Sequence, residues 1–186
     1  MVFKYRGALL AAPALLLAIF GKPNGASIGF GLPFAFAGEA IRCWAVGYSG
    51  VTTRGDSVTA PKLVTAGPYA YVRNPLYLGN LLTAFGFAVA FTGRNAPLER
   101  WGLLALSLGT MLAVYATIVP HEEQYLRATF GASYDAYTER VPRIIPRSTA
   151  STPQEGVYDA GVIARAESRT FIAFAVMLCI LGLRAR

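Results

Sequence analysis

Two stretches hold most of the side chains able to do chemistry. The first, Gly67 to Gly79, reads GPYAYVRNPLYLG. It sets Arg73 and Asn74 directly before Pro75, with Tyr69, Tyr71 and Tyr77 around them, at the start of an apolar run. Asn is a favoured N-cap, and Pro suits the first helical position because its missing N–H is not needed there. A helix is therefore predicted to begin sharply at Pro75, capped by Asn74. Its free N–H groups and the Arg73 charge would make an anion site. The bland alternative is an interfacial anchor, because Tyr and Arg at a membrane boundary need no ligand. Gly67-Pro68 reads as a turn, and Gly79 permits close approach of a ligand or another backbone.

The second stretch, Val119 to Pro146, reads VPHEEQYLRATFGASYDAYTERVPRIIP. Glu122 and Glu123 are adjacent, so they point to different faces of a helix. Glu123 and Arg127 have the i,i+4 spacing of an ion pair, which leaves Glu122 for a partner elsewhere. Gly131 reads as a helix stop. Tyr134, Tyr137 and Val141 lie along one face of a short second helix. Pro142 and Pro146 break any helix around Arg143 and hold it on irregular backbone.

The elements around these stretches are apolar. The 186 residues are 54% hydrophobic and only 15% charged, with a net charge of +7 and a mean hydropathy of +0.44. That composition points to a membrane rather than to a nucleic-acid partner. Five apolar segments stand out: about Tyr5–Phe20, Ala26–Tyr48, Pro75–Phe91, Trp101–Pro120 and Thr170–Leu183. Spanning lipid takes about 20 apolar residues, so the second and fourth are long enough. The third must borrow flanking residues, and the first and fifth are short. The first lacks a small-residue cleavage site and reads as a retained helix. The expected fold is all-α, a single polytopic membrane domain over 1–186 with about five transmembrane helices.

Placing the first residues in the cytoplasm puts 2, 3 and 6 basic residues in the inner regions 1–6, 49–74 and 121–169. The outside loops then hold only Lys22, Arg94 and Arg100, so the excess of basic residues is inside, as the positive-inside rule prefers. Arg184 and Arg186 count weakly against that orientation. Both chemically rich stretches fall on the inner side. Residues 148–161 read as a flexible linker to the last apolar helix.

Several residues carry weaker signals. Cys43 and Cys179 read as buried small hydrophobes. With one histidine they make no metal-ligand set. His121 is either a proton acceptor or, more plainly, an interfacial side chain. Glu39 and Arg42, three apart in an apolar segment, either pair to stabilise the bundle or line a substrate entrance. Gly29-Phe30-Gly31 reads as helix packing rather than a nucleotide loop.

Together these residues resemble the isoprenylcysteine carboxyl methyltransferase and phospholipid methyltransferase family of integral-membrane enzymes. The resemblance rests on Lys62-Leu63-Val64, Gly67, Tyr69, Arg73, Pro75, Tyr77 and Gly79. It continues through Glu122-Glu123, Leu126, Phe130-Gly131, Tyr134, Tyr137, Arg143 and Pro146. It implies a cofactor-binding and catalytic core at 62–146, S-adenosylmethionine as cofactor and a lipidic or hydrophobic acceptor, with the pocket at the cytosolic face. By carry-over, Leu63, Val64, Gly67, Tyr69, Arg73, Asn74 and Tyr77 line the cofactor pocket, and Glu122 and Glu123 complete it. Arg143 and Glu122 take the catalytic positions. The family usually has His where Asn74 stands and often His where Pro61 stands. Asn can cap and hydrogen-bond but cannot carry a proton.

The chemistry suits the residues. Methyl transfer from a sulfonium is an in-line displacement that needs positioning and an environment tolerant of a cation. Carboxylates and tyrosine faces supply that environment. Arg73 and the helix start would hold the cofactor's carboxylate. A carboxylate acceptor needs no base, whereas a protonated amine must first lose a proton. The acceptor atom is therefore left open among oxygen, nitrogen and sulfur. Two other readings compete: a membrane sterol-type reductase using NADPH, and a non-catalytic membrane scaffold.

Overall fold

A computed structural model describes residues 2–50 and 61–186, with side chains from residue 11 onward. Arg54, counted above among the inner cations, lies outside the described residues. The described residues form six α-helices and no strand. They are α1 (Val2–Phe20), α2 (Gly25–Ser49), α3 (Pro75–Phe91), α4 (Pro97–Phe130), α5 (Ala132–Arg140) and α6 (Ile163–Arg184). Short 3-10 turns occupy Gly67–Ala70 and Ala160–Val162.

Among the described residues, two helical stretches are long and apolar enough to cross a membrane, Pro97–Phe130 and Ala160–Arg184. Ala11–Phe20 and Pro75–Phe91 are shorter apolar helices. This differs from the expectation that the second segment is one of the long spans. α2 has the length, at 25 residues, but Glu39, Arg42 and its glycines dilute its hydropathy. The fourth segment does not stop at Pro120. α4 runs through that proline for 34 residues, about 50 Å at the usual rise. That exceeds the ~30 Å of a hydrocarbon core, so its last turns project Glu122 and Glu123 beyond the apolar part. The fifth segment likewise starts earlier than expected, at Ile163.

The helices alternate in direction, and their two ends are tied separately. At one end the α1–α2 and α3–α4 turns meet: Arg94 N–H donates to the Lys22 carbonyl at 2.7 Å. Asn24 caps α2 there in a reciprocal capping box with Ser27. The Arg184 guanidinium, at the end of α6, reaches the Ile19 and Gly21 carbonyls at that same end. The candidate residues gather at the other end.

α2 and α3 make the closest helix pair. Gly31, Ala35 and Gly38 face Gly79, Thr83, Gly86 and Ala90 so tightly that the backbones nearly touch. Gly79 therefore serves backbone approach: a Cβ there would meet Arg42 and the Gly38 carbonyl. Gly31 is part of the same contact, while Gly29 faces open space. A Cβ on Gly38 would overlap the Gly79 carbonyl and the Thr83 N–H. Gly38→Leu is expected to cost about 3 kcal/mol or more by forcing the helices apart. Gly29→Leu should change the thermal unfolding midpoint in detergent by little.

A first core cluster joins Leu17, Ala35, Phe87, Phe91, Leu104, Phe174 and Leu181 across α1, α2, α3, α4 and α6. A second joins Met111, Val114, Tyr115, Ile118 and Val119 of α4 to Tyr77 and Leu81 of α3. Cys43 is partly buried, but Cys179 is exposed on the outer face of α6. The expectation of a buried Cys179 fails because α6 packs on the bundle through its other face, with Phe174 and Leu181.

Candidate active site

Arg42 sits beneath the site as a buried hub. Its guanidinium contacts Glu167 at 2.6 Å and Glu39 at 3.6 Å. It also donates to Asn80 and to Thr170. The Glu39–Arg42 pair thus belongs to a network that joins α2, α3 and α6. Sequence spacing alone reveals the i,i+3 half of it. The Asn80 and Glu167 contacts span 38 and 125 residues.

The first motif rises from this base. The Gly67–Ala70 turn opens at Gly67, whose φ of 61° is left-handed and favours glycine. A Cβ at Gly67 would also strike the Tyr48 ring. Tyr69 follows, and its side chain shares a hydrogen bond with Ser49. Burial pushes the Tyr69 hydroxyl pKa up to about 12. α3 then starts at Pro75, as expected.

Asn74 occupies the N-cap position but does not cap with its side chain. Its Nδ2 donates instead to the Arg143 carbonyl at 3.1 Å. The capping expectation fails because Asn74 has a longer-range task, tying the Arg143 segment to the start of α3.

The second motif folds back through Gly131, at φ 51°. α5 then packs Tyr134, Tyr137 and Val141 on Leu126, Phe130 and Leu63. This is the predicted tyrosine face, and its role is packing. Tyr137 donates its hydroxyl to the Tyr69 carbonyl at 2.8 Å. Burial raises the pKa of Tyr134, up to about 12, and that of Tyr137. A neutral buried tyrosine with a raised pKa stabilises the fold fully below pH ~10, where the unfolded chain is also neutral. That contribution is lost as pH climbs through the folded values. Helical ellipticity is therefore expected to fall between about pH 10 and 12. Tyr137→Phe should weaken the fold by about 1 kcal/mol at neutral pH and blunt the alkaline transition.

Glu123 is where the motifs meet. Its Oε1 accepts from Arg73 Nε at 3.0 Å. Its Oε2 accepts from Arg143 Nη2 at 2.6 Å and Nε at 3.0 Å. The expected Glu123–Arg127 pair does not form. Arg127 turns outward to Asp135 at 2.7 Å, because the inward face of that turn is filled by two other guanidiniums. Arg73 further donates through Nη1 to the Thr138 and Val141 carbonyls, at 3.0 and 2.8 Å. Its side chain is only 12% exposed. Arg73 thus holds the second motif to the start of α3 through Nε and Nη1. Arg143 is different: its side chain is 52% exposed, and Glu123 holds its pKa above the ordinary value.

Glu122 finds its partner across the helices. Tyr77 donates its hydroxyl to Glu122 Oε1 at 2.7 Å. The Tyr77 ring packs on Tyr115 with centroids 4.4 Å apart. Tyr115 was not legible as a site residue. Its one signal is position, since it lies seven residues before Glu122 and so on the same face of α4. His121 is exposed, with Nδ1 2.8 Å from the Thr117 carbonyl oxygen.

The structure thus brings together Tyr77, Glu122, Arg73, Glu123, Arg143 and Asn74, with Tyr69 joined through Tyr137. Leu63 belongs to the packing cluster beneath α5. Val64 lies under the returning chain, against Gly156. The 148–161 segment is not loose. Ser151 N–H donates to the Ala70 carbonyl at 2.9 Å, and Thr65 N–H to the Glu155 carbonyl at 2.8 Å. Asp159 N–H donates to the Gly47 carbonyl at 2.8 Å, and Tyr158 packs on Tyr48 with centroids 5.4 Å apart. The sequence pattern of Ser, Thr, Pro and Gly reads as flexible, because these main-chain bonds leave no trace in side-chain composition.

The phospholipid methyltransferase family model matches residues 28–133, more than half of the chain, with all of the first motif and the second as far as Gly131 but not Tyr134, Tyr137 or Arg143. The chain belongs to the phospholipid methyltransferase family. It is 32% identical over 127 residues to a protein-S-isoprenylcysteine O-methyltransferase of Arabidopsis thaliana, covering 63% of this chain and 58% of that one. It is 33% identical over 85 residues to the cobalt-zinc-cadmium resistance protein CzcN of Cupriavidus metallidurans, covering 46% and 36%. It is 35% identical over 97 residues to a methanethiol S-methyltransferase of Bradyrhizobium diazoefficiens, covering 52% and 34%. The chain therefore spans from about a third to somewhat over half of the length of these relatives. No solved structure matches it. Family membership and these relatives give no support to the sterol-type reductase reading.

Proposed function

We propose that this family member is an S-adenosylmethionine-dependent methyltransferase acting on a lipidic or small hydrophobic acceptor at a membrane. Its core is residues 62–146, and α1, α2, α3, α4 and α6 cross the bilayer with the candidate site at the cytoplasmic face. The observation that carries this reading is the junction of the two motifs. Tyr77 meets Glu122 at 2.7 Å, and Glu123 bridges Arg73 and Arg143. The alternation of helix directions and the apolar helices support the membrane placement.

The donor set suits S-adenosylmethionine. It combines a carboxylate, stacked tyrosine faces and one half-exposed arginine, which match a sulfonium, an adenine or ribose surface and a carboxylate. When bound, the cofactor supplies an electrophilic methyl group on sulfur. The chain's own residues do the rest. Glu123 neutralises Arg73 and orients Arg143. Arg143, half exposed beside Glu123, would hold the cofactor's carboxylate or an anionic acceptor. Glu122, fixed by the Tyr77 hydroxyl, would offer negative charge to a bound sulfonium. It would also take the proton from a thiol or amine acceptor. The Tyr77–Tyr115 pair gives an apolar wall that excludes water.

Titration calorimetry with S-adenosylhomocysteine tests this reading. Wild-type protein should bind, and Tyr77→Phe should bind about tenfold more weakly, the loss of one hydrogen bond to a charged group. Equal binding by Tyr77→Phe, or none by the wild type, would remove the site assignment.

A further inference from the structure

The end of the bundle remote from the candidate site has a design of its own. Gly21, Lys22, Arg94, Leu183 and Arg184 line an open cleft of about 610 Å³. Lys22 and Arg184 also border a second hollow of about 390 Å³, walled by Ile19, Phe20, Gly102 and Leu103. The two hollows share those cations and so make one groove, cationic at its head and apolar along α1 and α4.

The head is preorganised. Lys22 N–H donates to Asn95 Oδ1 at 2.8 Å, and Asn95 Nδ2 donates to the Phe20 carbonyl at 2.9 Å. Arg184 ties the end of α6 to the last carbonyls of α1. Against three cations the cleft sets one carboxylate, Glu99, 3.3 Å from Lys22 Nζ. That pair is exposed on both sides, so it holds Lys22 weakly. Arg94 is exposed and forms no ion pair among the described residues. In the orientation proposed above, these cations sit on the side the positive-inside rule disfavours. A local ligand accounts for them.

We infer that this groove binds one anionic phospholipid of the leaflet remote from the candidate site, its phosphate between Lys22, Arg94 and Arg184 and an acyl chain along Ile19, Phe20 and Leu103. Charge complementarity selects the headgroup, and exposed apolar side chains at Ile19, Phe20 and Leu183 continue the contact into the bilayer. The inference rests on the membrane-spanning reading but not on the methyl-transfer chemistry.

Native mass spectrometry of the full chain in detergent tests it, with phosphatidylglycerol, phosphatidylcholine and inorganic phosphate as probes. The wild type should retain phosphatidylglycerol over phosphatidylcholine. Lys22→Gln/Arg94→Gln should lose retention by about fivefold for each cation removed, with an unchanged thermal midpoint. Arg165→Gln, an exposed cation at the opposite end, should retain the lipid as the wild type does. Equal retention of the two lipids, or undiminished phosphatidylglycerol on the double variant, would overturn the inference. Displacement of the lipid by inorganic phosphate would make this a soluble-anion site and overturn it too. A chain that stays monodisperse in water without detergent would refute the spanning reading, and this site with it.

Discussion

Glu123→Gln is expected to lower methyl transfer about a hundredfold, the scale of a misplaced site, and to destabilise the chain by roughly 2–3 kcal/mol. The carboxylate accepts from two arginines at once, and it is 10% exposed. Neutralising it leaves the Arg73 guanidinium, 12% exposed, with carbonyl partners alone. Arg143 loses the anion that orients it. The stability loss is held below that of a fully buried pair because Arg143 still reaches water. The control is Arg127→Gln. Its pair with Asp135 is exposed on both sides, so little change in the thermal midpoint is expected. Thermal unfolding in detergent and turnover on the same preparations check both variants. Equal losses at the two positions would mean that Glu123 does not bridge the motifs.

Arg42→Ala is expected to be the most damaging single change to the bundle, at about 3–5 kcal/mol. The side chain it would strand beside, Glu167, is 1% exposed. α6 is held to α2 by this network, and the 148–161 segment, tied to Gly47 of α2 at Asp159, leads directly into α6. Trypsin cleavage at Arg147 and Arg165 should therefore accelerate. Converting the cluster to uncharged residues, with Arg42→Met, Glu39→Gln and Glu167→Gln together, should recover much of the loss, because the dominant penalty is buried charge left uncompensated. Unchanged proteolysis of Arg42→Ala would show that α6 docks independently.

What the sequence revealed and what it hid divide by range. Pro75 starts α3 and Gly131 ends α4 as read, because proline geometry and glycine's left-handed φ are local. Tyr134, Tyr137 and Val141 share a face because helical periodicity is local as well. The pairings of charges were not legible. The i,i+4 rule assigns Glu123 to Arg127, but two distant guanidiniums offer a less exposed and doubly bonded alternative. Asn74 has the residue type of a cap and the position of a cap, yet its amide goes to Arg143. Tertiary competition decides both cases, and no window of sequence contains the competitor. The 148–161 segment shows the same limit for the main chain. Its bonds to Thr65, Ala66, Ala70 and Gly47 are independent of its side chains. Arg42 was visible as an oddity in an apolar helix, but its partner on α6 was not.

If the two motifs form one methyl-transferring site at a membrane, as proposed, the transfer can be followed by label. The most direct measurement is incorporation of methyl label from S-adenosylmethionine into organic-extractable material by membranes containing the chain. Label is expected to depend on the wild-type chain and to disappear with Glu122→Ala. Label that persists in Glu122→Ala membranes, or no label from wild-type chain that binds S-adenosylhomocysteine, would contradict that proposal.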